Sequence, residues 1–93
     1  MEKSINLIKN LYTSYEAKEI VLDLFNHKIN FLKRKIFSLD ELGHKVPERL
    51  SARIVQLERD RNELQEYFDK VSPELYLEID CLLRIKELDK VSA

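Results

Sequence analysis

Tryptophan is absent from this chain of 93 residues, glycine occurs once, proline twice and cysteine once. So few backbone breakers, with many Glu, Lys, Leu and Arg, favour long helices. The lone Cys81 excludes an internal disulfide framework and suits a reducing compartment. No apolar run approaches the roughly 18–20 residues that a membrane-spanning helix needs. The stretch Met1 to Tyr15 lacks the unbroken apolar core and small-residue cleavage site of a secretory signal. A soluble cytoplasmic protein with no membrane partner is therefore expected. No glycine-rich phosphate loop is present, and a net charge of −1 gives no overall pull toward nucleic acid or an anionic membrane.

What the chain does have is charge and a regular apolar seam. Charged residues make up 35% of it. Leu22, Phe25, Ile29, Leu32, Ile36 and Leu39 follow at gaps of three and four, which puts them on one stripe of a helix. Gly43 and Pro47 then mark a helix end and a helix start. Beyond them Leu50, Ile54, Leu57, Arg61, Leu64, Phe68 and Val71 form a second stripe. Folded back in constant register, Leu39 meets Leu50, Ile36 meets Ile54, Leu32 meets Leu57 and Ile29 meets Arg61. Arg61 is thus the one polar residue on the seams. It is either a buried anion anchor or a side chain whose stem packs while its head reaches Glu58, Asp60 or water.

The ends of the chain are expected to be helical as well. Thr13 and Glu16 make a capping box, predicting a short helix over 4–12 and a long one over 14–42, with a single helix over 4–42 as the alternative. Pro47 opens a helix over 47–71. Ser72-Pro73-Glu74 reads as the start of a last helix over 73–90. The expected fold is all-α: one domain over 1–93, a long antiparallel helical hairpin with one or two shorter helices packed on it.

In that last helix Leu77, Cys81, Ile85 and Leu88 lie on a different side from Leu75, Ile79, Leu82 and Leu83. A helix apolar on two sides needs two covers: one is the hairpin, the other either the N-terminal helix or a second copy of the protein. On the latter reading Leu77, Cys81, Ile85 and Leu88 form the expected protein interface. The simplest partner is a second copy in a two-fold dimer; an unidentified protein is the other. Tyr12, Tyr15, Tyr67 and Tyr76 near the helix ends could widen that surface.

Charge is unevenly spread. Between Leu24 and Arg53 stand Lys28, Lys33, Arg34, Lys35, Lys45, Arg49 and Arg53 against Asp40, Glu41 and Glu48. Lys33, Arg34, Lys35, Lys45 and Arg49 are the candidate anion-binding residues, and nucleic acid is the alternative partner they imply. No aromatic residues interleave with Lys33-Arg34-Lys35 as in single-strand binders. His27, His44 and Cys81 have no recognised ligand or nucleophile–base spacing, so no metal, cofactor or catalytic residue is expected. The expected function is a small non-catalytic protein–protein interaction module: an adaptor, regulator or inhibitor. A nucleic-acid binder is the first alternative. A small all-α enzyme using Arg61 on an anionic substrate is the second.

Overall fold

A computed structural model describes residues 1–88. Strand β1 spans Glu2–Thr13, helix α1 Ser14–Glu41, helix α2 Glu48–Lys70 and strand β2 Tyr76–Lys86. The two strands pair antiparallel into a two-stranded sheet, so the chain's ends form a ribbon and its middle two helices. The molecule is thin, with Cα extents of 49 × 32 × 15 Å.

The fold is α+β, and the all-α hairpin bundle expected from the sequence is overturned. The segments expected as helices over 4–12 and 73–90 are the two strands. Residues 89 and 90 of the second of these lie outside the described residues. The single-helix alternative over 4–42 fails for the same reason.

The capping box explains where strand gives way to helix. Thr13 is the N-cap of α1, its Oγ1 accepting from the Glu16 amide at 3.2 Å. The Glu16 carboxylate accepts from the Thr13 amide at 3.0 Å. Thr13 is extended, at φ −63° and ψ 156°, so it serves equally as the last residue of β1. At the far end of α1, Gly43 takes φ +74°. Its amide donates to the Asp40 carbonyl at 3.0 Å and the His44 amide to the Leu39 carbonyl at 2.9 Å. That is the paired closure of a Schellman motif, which needs a left-handed residue. Pro47 is the N-cap of α2 rather than its first helical residue, a shift of one position.

The core lies between the helices. Ile29, Leu32, Leu50, Ile54 and Leu57 are buried together, with Phe25, Ile36 and Leu39 packed on them. Polar contacts also cross between the helices: Lys18 to Asp69 at 2.9 Å, Arg61 to Asn26 at 2.8 Å and Lys33 to Glu58 at 3.6 Å. Arg61 is half-buried, its guanidinium donating to the Asn26 side-chain Oδ1 rather than to Glu58 or Asp60. It behaves as a boundary residue with a neutral partner.

The helices and the ribbon are clasped at Ser14. Ser14 is 3% exposed; its amide donates to the Leu75 carbonyl at 2.7 Å and its hydroxyl to the Ser72 carbonyl. The Leu75 amide in turn donates to the Ser72 carbonyl at 3.1 Å. Ser72-Pro73-Glu74-Leu75 is therefore a turn with proline at its second position, not a helix start. Ser-Pro suits both, and the residues that follow decide between them.

Candidate interaction surface

The ribbon has one apolar face and one polar face, and the strand register sets which residues share each. In an antiparallel ladder, residues directly opposite point to the same side. Tyr12 stands opposite Leu77, Asn10 opposite Ile79, Ile8 opposite Cys81, Ile5 opposite Leu83 and Lys3 opposite Ile85. These make the apolar face. The other face carries Leu11 opposite Glu78, Lys9 opposite Asp80, Asn6 opposite Leu82, Ser4 opposite Arg84 and Glu2 opposite Lys86.

The apolar face is covered only near the helices. Of the two helices, α1 approaches the backbone of both strands. Ile8 is buried, and Leu77, Ile79 and Cys81 are half-buried. Val21, Leu64, Tyr67 and Phe68 border a groove beside Leu77–Asp80. Farther from the helices, Ile5 is 50% exposed, Leu83 42% and Ile85 53%. An isolated two-stranded ribbon is marginal in water; a third strand or a covering element is what normally stabilises it. The far half of this ribbon has neither within the described residues.

Three of the four residues expected as a protein interface, Leu77, Cys81 and Ile85, share this apolar face. Leu88 lies just beyond β2 and is exposed. They share it as members of a strand, where every second residue points the same way, and not as a helical stripe. The strand adds Ile79 and Leu83 from β2 and Ile5 and Ile8 from β1, which helical spacing left out. Tyr12 joins the same face, whereas Tyr76 falls on the polar one. Tyr67 lies on α2, its ring edge-on to Phe68 at 5.4 Å, and Tyr15 is exposed on α1. The four tyrosines do not form one patch.

The basic residues Lys33, Arg34 and Lys35 are exposed on α1, Lys45 lies between the helices and Arg49 is exposed on α2. They are spread along the distal half of the helices, and Lys33 is engaged by Glu58. Among the described residues no group of three or more His, Cys, Asp or Glu converges on a possible cation site. The grooves on the helices are open. One runs along α2 between Val55 and Glu66, and another along α1 between Tyr15 and Asn26; Arg61 lines neither.

No family model, curated protein or solved structure matches the chain. Among the described residues no helix is long and apolar enough to cross a membrane.

Proposed function

We propose that the chain is a non-catalytic protein–protein interaction module that binds through the apolar face of its β1–β2 ribbon and associates with itself. The observation that carries this reading is the adjacent exposure of Ile5, Leu83 and Ile85 on one face, whereas the other face is charged and polar except for Leu11 and Leu82. Single exposed apolar residues need no explanation, but a contiguous set on one side of a strand pair marks a surface that is covered in use. The helices supply a rigid support and fix the base of the ribbon through Ser14.

Ile85→Glu is the test. Ile85 is more than half exposed, so a carboxylate there costs little within one chain and much inside an interface. Sedimentation velocity is expected to show loss of association, with the helical circular dichroism unchanged. Association equal to that of the unsubstituted protein would refute the use of this face.

A further inference from the structure

We infer that two copies of the chain pair along the free edge of β2, antiparallel about a two-fold axis at Leu82, to make one four-stranded sheet. This rests on the reading just given and names its partner and geometry. The ladder shows which backbone groups are available. The Ser14 amide donates to Leu75 and the Glu87 amide to Met1, at the two ends of the ribbon. Hydrogen-bonded pairs alternate along an antiparallel ladder, so Leu77, Ile79, Cys81, Leu83 and Ile85 turn their backbone groups toward β1. Glu78, Asp80, Leu82, Arg84 and Lys86 turn theirs to the open edge.

The side chains of those edge residues are self-complementary. Centred on Leu82, an antiparallel copy sets Asp80 opposite the second copy's Arg84, and Glu78 opposite its Lys86. Each pair occurs twice by symmetry. Shifting the axis by one residue to Cys81 sets Asp80 against Leu82 and loses half of these matches. On the other face, the same register sets Ile79 beside Ile85 and Cys81 beside Leu83, across the new strand boundary. The apolar face thus crosses all four strands in the row Ile8, Cys81, Leu83 and Ile5, while the row through Ile79 and Ile85 ends in Asn10 and Lys3 on the outer strands. The second copy's Ile85 arrives next to the groove at Val21, Leu64 and Tyr67.

Glu78, Asp80 and Lys86 make no ion pair among the described residues, and Arg84 meets only Glu2, at 3.4 Å. A guanidinium has donors enough for a second carboxylate. The β1 edge is less suited: its ladder is interrupted between Asn6 and Ile8, and a bulge of this kind hinders pairing. The β2 ladder has no extra residue.

The test uses the full chain and two charge reversals. In Asp80→Arg, each axial pair becomes arginine against arginine; in Arg84→Asp, aspartate against aspartate. Each variant alone is expected to associate roughly tenfold to a hundredfold more weakly than the unsubstituted protein in sedimentation equilibrium. Mixed one to one, they are expected to recover a species of twice the chain mass, because arginine then faces aspartate at both sites. Recovery on mixing also separates pairing from damage to the ribbon, since Lys9 stands across from Asp80 and Glu2 contacts Arg84. In the Cys81→Ser background, Leu82→Cys is expected to give an oxidised covalent dimer, the paired Cα atoms standing about 5.5 Å apart. Three results would each overturn the inference. One is undiminished association of Asp80→Arg; another is no recovery on mixing. The third is a chain that stays monomeric at every concentration. If Ile85→Glu abolishes association while Asp80→Arg does not, the apolar face stands and the β2 pairing falls.

Discussion

Replacing Ile29 with alanine tests the helical core most directly. Ile29 is 1% exposed and is enclosed by Leu32, Leu50, Ile54 and Leu57. The substitution removes Cγ1, Cγ2 and Cδ1, worth about 2.4 kcal/mol of transfer free energy at ~0.8 kcal/mol per carbon. A residual void of ~40 Å³ adds about 1 kcal/mol. The void stays small because the core is a single layer between two helices, which can close on it. The expected loss is about 3 kcal/mol, a large share of the ~5–15 kcal/mol that stabilises a typical domain. Urea unfolding followed by circular dichroism at fixed protein concentration would show the midpoint falling by about 2 M. The concentration must be fixed because association contributes to apparent stability. Val55→Ala is the control: Val55 is 53% exposed on α2, and alanine is the better helix former, so the change is within about 0.5 kcal/mol. A loss below about 1 kcal/mol for Ile29→Ala, or an equal loss for both variants, would refute the assignment of the core.

Two further substitutions probe the ends of α1. Thr13→Ala removes the side-chain cap and is expected to cost about 1 kcal/mol in the same unfolding assay. A neutral result would mean that the strand, and not the cap, ends the helix. Gly43→Ala meets no neighbouring atom, so its whole cost is the left-handed backbone, about 1–2 kcal/mol. A stabilised Gly43→Ala protein would show that the turn rearranges.

The two strands hid behind helical signals for reasons visible in particular residues. In β1, the irregularity between Asn6 and Ile8 puts Ile5 and Ile8 on one face at a spacing of three. Three is a helical interval, so the bulge disguised the strand. In β2, the alternation of Leu77, Ile79, Cys81, Leu83 and Ile85 was present throughout, and adjacent Leu82 obscured it. The β-branched Ile79 and Ile85 also favour a strand. Ser72-Pro73-Glu74 added a false helix start. Leu77, Cys81 and Ile85, expected as one stripe of a helix, share a face instead as alternate residues of a strand. Ile5 and Leu83 needed the ladder.

Local physics marked the two helices, while leaving open whether α1 begins at Thr13 or runs on through 4–42. The seams of α1 and α2, the Thr13–Glu16 box and the Gly43 closure act over a few residues, and each is written in residue type and spacing. The ribbon was decided only in the tertiary structure. A strand obtains its hydrogen bonds from a partner distant in sequence, and here β1 and β2 are separated by both helices. Folding α1 back on α2 brings Thr13 and Tyr76 together, and only then do the chain's two ends satisfy each other as strands.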